Sequence, residues 1–399
     1  MTEKLYYSDS HCFAFEAKLL AVTGDEKHPG HFLLELDRTA FFPEGGGQSA
    51  DTGRIGAMSV LDVQEKEGRI FHRVPVPEGA EPPQAGAQVS CVLDGETRWR
   101  RMQNHSGEHV FSGLVHRHYG YDNVGFHMGH PYMQIDFSGE MTWEQLQEIE
   151  WEANEAVRAD LPVLTSFPES SALREMSYRS KLELTENVRI VEIPGIDRCA
   201  CCAPHVSRTG EIGLIKLISA ERHKGGVRLE LVCGLDALEA VNGMQKSVAA
   251  ISNLLSAKRE EIFPAAERLL AERDTLRLRL AGVERELLEE RAQAEEETEG
   301  NLVCFLSPGY SEAARREMVN RLVKKCGGMA AVFSGTDGEG YLYIIGSEHS
   351  DLRQRAREIN AGICGRGGGR SEMISGSCTA EEKTIRAWFA ADAGKGETV

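Results

Sequence analysis

Residues 199–213 read Cys-Ala-Cys-Cys-Ala-Pro-His-Val-Ser-Arg-Thr-Gly-Glu-Ile-Gly, and the rest of the chain is organised around this stretch. Within it, Cys201 and His205 lie four residues apart. Earlier in the chain, His105 and His109 have the same spacing, which brings two imidazoles to one face of a helix. A thiolate and neutral imidazoles suit Zn²⁺, a borderline-soft ion without geometric demands of its own. The sequence therefore predicts one zinc ion per chain, held by His105, His109, Cys201 and His205.

Neither half of this ligand set is specific alone. A lone His-x-x-x-His is more often a helix with two ordinary histidines than a metal site. Dense cysteine in a short loop of an intracellular protein usually indicates metal binding, and the two halves support each other. Ten cysteines among 399 residues do not form the pattern of a disulfide scaffold.

Composition limits the class of protein. The chain has 41% hydrophobic and 27% charged residues, which is typical of soluble globular domains. Its start lacks a basic segment followed by an apolar run, and no stretch approaches the length of a membrane span, so we expect a cytoplasmic protein with no membrane partner. The net charge of −17 argues against a general nucleic-acid coat, but it allows a local basic surface.

Periodicity predicts a multidomain α+β protein of four parts. Short alternating apolar runs in residues 1–95 indicate a small β-barrel, which closes strands without free edges. Residues 96–235 mix helices and strands and contain the zinc ligands. Residues 236–300 are helical, and residues 301–399 alternate strands with helices as an α/β domain.

The helical part carries a heptad pattern. Apolar residues from Met244 to Leu287 recur at steps of three, four and seven, which indicates a coiled-coil seam. Pro264 is tolerated only in the first turn of a helix, so we expect two helices of roughly 236–258 and 264–298. They can form a hairpin, pair with a second chain as a homodimer, or serve as a spacer.

Two glycine-rich stretches allow more than one interpretation. Gly45, Gly46 and Gly47 permit a positive φ or close approach of another group to the backbone, and without context a hairpin turn is the favoured interpretation. In the run from Gly365 to Arg370, arginine and bare backbone N–H groups could bind phosphate. The alternative is a flexible loop, and the run is not a P-loop because no Gly-Lys-Ser/Thr follows.

Four stretches in one order resemble a known family. They are Phe41-Phe-Pro-Glu-Gly-Gly-Gly-Gln48, His105-x-x-x-His109, Cys201-x-x-x-His205 with Thr209-Gly-Glu-Ile-Gly213, and Gly365-Arg-Gly-Gly-Gly-Arg370. This order resembles the alanyl-tRNA editing proteins of the AlaX type, relatives of the editing and C-terminal domains of alanyl-tRNA synthetase. The resemblance covers nearly the whole chain, as in the long form with a DHH-associated C-terminal domain over 301–399.

The resemblance implies an activity and a site. The activity is hydrolysis of the ester bond in tRNA(Ala) mischarged with serine, and also with glycine, at a zinc ion held by the four ligands above. The glycine-rich turn is expected to form a wall of the zinc pocket, and Thr39 matches a position implicated in recognising the serine hydroxyl. The implied substrate-binding or catalytic residues are Thr39, Gly45, Gly46, Gly47 and Gln48, with Glu108 as candidate base, and Arg366 and Arg370 are the candidate tRNA contacts.

One departure and several alternatives accompany this interpretation. Relatives usually have Gly-Thr before the last histidine, whereas this chain has Ala203-Pro204 and lacks a threonine hydroxyl there.

A zinc metalloprotease would need Glu directly after the first histidine, but Ser106 follows His105 in this chain. A complete synthetase would need an aminoacylation core, and a DHH phosphoesterase would need an Asp-His-His triplet, which does not occur. A non-catalytic RNA-binding protein with a structural zinc stays open.

Overall fold

A computed structural model describes residues 2–75, 83–129, 131–180 and 188–393. The chain divides into two compact units, Met1–Ala250 and Ile251–Val399. The predicted multidomain α+β class is confirmed, while the division into four domains stays a prediction. Among the helices in the described ranges, none has the length and apolarity that crossing a bilayer requires.

The first unit begins with a sheet that nearly closes into a barrel. Its seven strands follow the order β6-β5-β9-β2-β3-β8-β7, and β6 also packs against β8. Side chains alternate between the barrel core and solvent, as in β8, where Ile70, His72 and Val74 are buried. The predicted N-terminal barrel is confirmed in this nearly closed form. The elements are β1 (Glu3–Lys4), α1 (Leu5–Ser8), β2 (Ala14–Gly24), β3 (His31–Leu36), β4 (Arg38–Thr39), β5 (Gly53–Ile55), β6 (Met58–Val60), β7 (Asp62–Lys66), β8 (Arg69–Pro75) and β9 (Gln88–Leu93).

The second part of this unit surrounds one long central helix, α2 (Gly95–Tyr119), which carries His105 and His109. Asp94 caps its start by accepting a hydrogen bond from Thr97 N–H, and Gly120 ends it with φ +68°. Buried residues occupy all its faces from Met102 to Val115, as expected of a helix enclosed by other elements. This enclosure is what buries the histidine pair.

Helices and two antiparallel sheets enclose α2. The sheets have the orders β10-β11-β16-β15 and β12-β13-β14. Thr142 and Gln145 form a capping box at the start of α3. The elements are β10 (Asn123–His127), β11 (Met133–Phe137), α3 (Trp143–Arg158), β12 (Leu164–Ser166), α4 (Ser170–Glu175), β13 (Ile190–Ile193), β14 (Asp197–Ala200), a 3₁₀ turn (Thr209–Ile212), β15 (Ile215–His223), β16 (Gly226–Cys233) and α5 (Gly234–Leu254).

Two helices occupy the stretch with the heptad pattern, α5 and α6 (Ile262–Ala294). The break between them includes Ser256, whose φ is +48°. Pro264 is the third residue of α6, within the first turn as expected. Leu269, Leu276 and Leu280 of the predicted seam are each more than half exposed in this single chain. The coiled-coil pairing itself stays a prediction.

The second unit ends in an open five-stranded sheet of order β17-β18-β19-β21-β20. The interpretation of the Gly365–Arg370 run as a loop was wrong, because Gly365–Gly369 forms the edge strand β20, paired with β21. A Cβ on Gly367 would lie 2.5 Å from the Tyr343 hydroxyl, so packing requires at least this glycine. The elements are β17 (Leu302–Leu306), α7 (Glu312–Leu322), β18 (Ala330–Thr336), β19 (Gly340–Gly346), α8 (Leu352–Gly362), β20 (Gly365–Gly369), β21 (Met373–Cys378) and α9 (Glu382–Ala393).

Candidate metal centre

The four predicted ligands converge in the first unit. His105 and His109 project from α2, and Cys201 and His205 come from the loop that follows β14. Their donor atoms all lie within 4.8 Å of one another. The Cys201 Sγ atom is 3.5 Å from His105 Nε2 and 3.4 Å from His205 Nε2. Tetrahedral zinc with standard bond lengths separates a sulfur and a nitrogen ligand by about 3.6 Å, so the cluster fits the ion.

Each histidine of the cluster has a hydrogen-bond partner at Nδ1. An Nδ1–H that donates to such a partner leaves Nε2 as the lone-pair donor, and the partner fixes the orientation of the ring. This arrangement is typical of histidines that bind a metal through Nε2. The Nδ1 pairs are His105 with Gln48 Oε1 at 2.9 Å, His205 with Ser106 Oγ at 3.1 Å, and His109 with Asp197 Oδ2 at 3.0 Å.

Burial and charge prepare the cysteine as a ligand. Burial alone would raise the pKa of the Cys201 thiol, but the neighbouring His105 and the hydrogen bonds from His105 and His109 outweigh it and hold that pKa well below its ordinary value. Burial lowers the pKa of His205 to about 3, which keeps its imidazole neutral. A thiolate and a neutral imidazole are the forms that bind zinc.

Arg189 holds the loop between the last two ligands. Its Nη1 donates to the carbonyls of Cys201 at 3.0 Å and Ala203 at 2.8 Å, while Cys201 N–H donates to the Arg189 carbonyl. Ala203 is fully buried against the barrel core. These contacts support the spacing from Cys201 to His205, with Ala203 and Pro204 between the two ligands.

The glycine-rich stretch is both a hairpin turn and a neighbour of the cluster. Gly45 and Gln48 exchange two backbone hydrogen bonds of 3.0 Å around Gly46 and Gly47, whose φ angles of +60° and +85° favour glycine. A Cβ on Gly47 would lie 2.7 Å from the Phe126 ring. The turn then delivers Gln48 to His105. The two interpretations of this stretch are therefore compatible.

Glu108 lies beside the cluster with one oxygen committed elsewhere. Its Oε1 accepts hydrogen bonds from Ser112 at 2.5 Å and Asn123 at 2.6 Å. Its Oε2 lies 3.9 Å from His109 Nε2, the atom that faces the other ligands. Burial raises the pKa of Glu108, but the charges of His109, Arg179 and His105 outweigh it and lower the pKa overall. A carboxylate is thus held next to the metal-facing atoms.

Thr39 has no hydrogen bond to the four ligands among the described residues, and Arg366 and Arg370 are described only within their own unit. Thr39 is fully buried in the barrel, where its hydroxyl lies 2.8 Å from His72 Nε2 and accepts from Phe41 N–H. Arg366 and Arg370 belong to the second unit, where both are exposed on and beside β20. Their roles stay predictions.

Other residues of the site were missed by sequence reasoning. Ser106 is hydrogen-bonded to His205, and Asp197 is hydrogen-bonded to His109. Arg179 donates to Asp197, and Arg189 donates to the backbone of the loop that carries Cys201 and His205. Ser106 lies inside the His105–His109 motif, so its position was a usable signal. Asp197 precedes Cys201 by four residues along an extended strand, and only the fold shows that it meets His109.

Comparison with known proteins confirms the resemblance expected from the motifs. Residues 188–230, which include Cys201 and His205, match the family described as the threonyl and alanyl tRNA synthetase second additional domain. The chain is 28% identical to the alanyl-tRNA editing protein AlaX-L of Pyrococcus horikoshii, with 96% of each chain covered. It is 32% identical to the alanine–tRNA ligase of Methanopyrus kandleri over 94% of this chain, but it spans 42% of that ligase.

Among solved structures, the C-Ala domain of Aquifex aeolicus alanyl-tRNA synthetase matches with 19% identity and a TM-score of 0.20. The match covers 24% of this chain and 96% of that domain.

Proposed function

We propose that this chain, which resembles AlaX-type editing proteins from end to end, is a trans-editing hydrolase that deacylates mischarged tRNA(Ala). Its chief substrate would be seryl-tRNA(Ala), with glycyl-tRNA(Ala) as a second. The observation that carries this proposal is the cluster of His105, His109, Cys201 and His205, with zinc-like spacing, in a chain similar to AlaX-L of P. horikoshii over 96% of both lengths. An enzyme that acts on charged tRNA would work in the cytoplasm.

The reaction needs an activated water and stabilisation of the oxyanion as the ester carbonyl becomes tetrahedral. When bound by the four residues, zinc would supply Lewis-acid chemistry to this step. In our proposal Glu108 accepts the proton of the attacking water through Oε2, the oxygen not used by Ser112 and Asn123. A carboxylate with a lowered pKa is ionised at neutral pH and can accept that proton.

Gln48 is proposed as the substrate-binding residue of the turn. Because its Oε1 accepts the Nδ1–H of His105, its amide Nε2 is fixed as the remaining end of the side chain. This Nε2 is buried and has no hydrogen-bond partner among the described residues. A buried donor without a partner is costly, and a substrate oxygen would relieve that cost. Gly45, Gly46 and Gly47 would allow the substrate close approach to the turn.

Thr39 is proposed to act in selectivity through the barrel segment that leads into the glycine-rich turn. Its hydroxyl group is held by His72 and by Phe41 N–H, at the start of the segment that leads into the turn. A pocket cannot strongly reject a substrate by one added hydroxyl through apolar contact alone, which is why a separate hydrolytic site for serine is useful.

The partner in this proposal is tRNA(Ala), with contacts beyond the charged end made by the second unit. Arg366 and Arg370 are exposed at the edge strand of its sheet, and Gly368 between them has nothing within 4 Å of its Cβ position. Arginine beside open backbone suits phosphate.

The exposed leucines of α6 also support a homodimer through the helical segment, which sedimentation would test.

A non-catalytic RNA-binding protein with a structural zinc is the second candidate. Four protein ligands fill a tetrahedral shell, which is the arrangement of structural zinc sites, whereas catalytic sites usually keep one position open.

One experiment separates the two functions. Zinc-loaded protein is mixed with Ser-tRNA(Ala), with Ala-tRNA(Ala) as control, and a chelator-treated sample is run in parallel. Chelator-sensitive release of serine but not alanine supports editing, and tRNA binding without release supports the second candidate.

A further inference from the structure

Asp197 connects the metal cluster to Arg179, whose side chain is 13% exposed. It is the first residue of β14, and its side chain is 2% exposed. The Oδ2 atom of the carboxylate accepts a hydrogen bond from His109 Nδ1 at 3.0 Å. Arg179 donates to the same carboxylate from Nε at 2.7 Å and from Nη2 at 2.8 Å. The three side chains thus form a continuous line of hydrogen bonds from Arg179 to a zinc ligand.

The fold makes room for this contact through a glycine. Gly113 lies on α2 four residues after His109, on the same helix face. A Cβ at Gly113 would lie 2.6 Å from Asp197 Cβ and 2.7 Å from the Ile196 carbonyl oxygen. Side chains larger than hydrogen would therefore push β14 away from α2. The absence of a side chain at Gly113 brings Asp197 within reach of His109.

Asp197 differs in kind from the other two histidine partners. Gln48 and Ser106 are neutral side chains, whereas Asp197 is a carboxylate whose two oxygens both accept hydrogen bonds from the Arg179 guanidinium. An anion at Nδ1–H fixes the tautomer and strengthens Nε2 as a donor to a metal more than a neutral acceptor does. Its effect on zinc binding should exceed that of a neutral partner.

We propose that Asp197, held in place by Arg179, is the positioning residue that sets how tightly this centre binds zinc. The proposal rests on the zinc site of the proposed function and adds two residues to it. Arg179 keeps the carboxylate turned toward His109 and supplies the charge that balances it.

A second zinc site at this point is the competing explanation. Atoms of His109, Asp197 and Cys199 also lie within 4.8 Å of one another. However, both carboxylate oxygens of Asp197 already accept from Arg179. A divalent cation would have to displace the Arg179 guanidinium from these oxygens, so the cation of this group is Arg179 itself.

The test compares zinc affinity in purified full-length variants, measured by competition with a chromophoric chelator. Asp197→Asn keeps an acceptor but loses the charge, and we expect zinc to bind about 10- to 100-fold more weakly. Because this variant leaves Arg179 without an anion, the double variant Arg179→Met/Asp197→Asn is measured beside it, with the same loss expected. The control is Asp136→Asn, since Asp136 pairs with Arg228 at the same distances of 2.7 and 2.8 Å.

Cobalt-substituted protein gives a readout that general destabilisation would not move. We expect the visible absorption bands of bound Co²⁺ to shift in both Asp197 variants and to match wild type in Asp136→Asn. Unchanged affinity and unchanged bands in the double variant would overturn the proposal. Wild-type protein that binds no zinc would overturn this proposal and the zinc site together. Zinc binding that depends on Asp197 without any release of serine would support this proposal and refute the hydrolase.

Discussion

Arg98 of α2 is fully buried and donates from Nε to the carboxylate of Asp51 at 2.9 Å, just beyond the glycine-rich turn. The same Asp51 oxygen accepts from Phe42 N–H at 2.7 Å, and Arg98 Nη2 donates to the carbonyl of Ala40 at 2.5 Å. The pair therefore joins the barrel backbone to the helix that carries His105 and His109. We expect this joint to hold the turn in the position where Gln48 contacts His105.

The first prediction concerns the stability of this joint. Asp51→Ala leaves the Arg98 guanidinium buried and uncompensated, so we expect the free energy of unfolding to fall by about 3–5 kcal/mol. Urea unfolding followed by circular dichroism measures the change. Glu155→Ala is the control, because Glu155 pairs with Arg158 at the surface, where an ion pair contributes little. Equal effects of the two substitutions would contradict the role of the buried pair.

The second prediction concerns the ligands. Cys201→Ala and His105→Ala should each lose stoichiometric zinc and serine release together, because each removes one of four converging donors. Metal content is measured by atomic emission on the protein used in the deacylation assay. Cys202→Ala is the matched control, because Cys202 follows Cys201 directly in the chain but is exposed and is not part of the cluster. Hydrolysis by a zinc-free variant would refute the zinc-dependent mechanism.

The ligands could be predicted from sequence because the chemistry lies in short spacings, His105 to His109 and Cys201 to His205. Their partners could not, since Asp197 meets His109 only after a strand and a helix pack together. The Gly365–Gly369 strand was missed because glycine disfavours strands, and its requirement at Gly367 depends on Tyr343 in another strand. The first helix of the heptad segment ends at Leu254 and not near residue 258 as predicted. The break includes Ser256 with a φ of +48°, a backbone conformation that composition does not reveal.

The third prediction separates two roles of Gln48. Gln48→Glu keeps an acceptor for His105 Nδ1–H but loses the amide donor, whereas Gln48→Ala loses both. If the donor stabilises the developing oxyanion, Gln48→Glu should bind zinc at least as tightly as wild type does, because its carboxylate is an anionic partner for His105 Nδ1–H, but its kcat should be about 10²- to 10³-fold lower. Gln48→Ala should also weaken zinc binding. A Gln48→Glu variant with wild-type kcat would exclude the amide as a substrate contact.

The fourth prediction is a pH dependence of stability that originates at His72. Burial lowers the pKa of His72 from 6.5 to about 4. Between pH 6.5 and about 4, the unfolded chain binds a proton at His72 that the native protein does not bind. The contribution of His72 to the free energy of unfolding is therefore complete above pH 6.5 and is lost as the pH falls through this range. From pH 7 to pH 5, wild type should lose about 2 kcal/mol more than His72→Gln does. Equal losses in urea unfolding at the two pH values would show that His72 is not buried as a neutral group.

The fifth prediction uses two glycines that lie in helices with opposite surroundings. Gly113→Ala would place a Cβ 2.6 Å from Asp197 Cβ, so α2 and β14 must separate, and we expect a loss of about 1–3 kcal/mol in the free energy of unfolding. Gly243→Ala in α5 has nothing within 4 Å of its Cβ position, and it should stabilise the helix by up to about 1 kcal/mol. Zinc affinity should fall in Gly113→Ala alone, because Asp197 can no longer reach His109 in its present geometry. If Gly113→Ala lowers stability but leaves zinc affinity unchanged, the close approach serves packing alone, and the contact between Asp197 and His109 tolerates displacement.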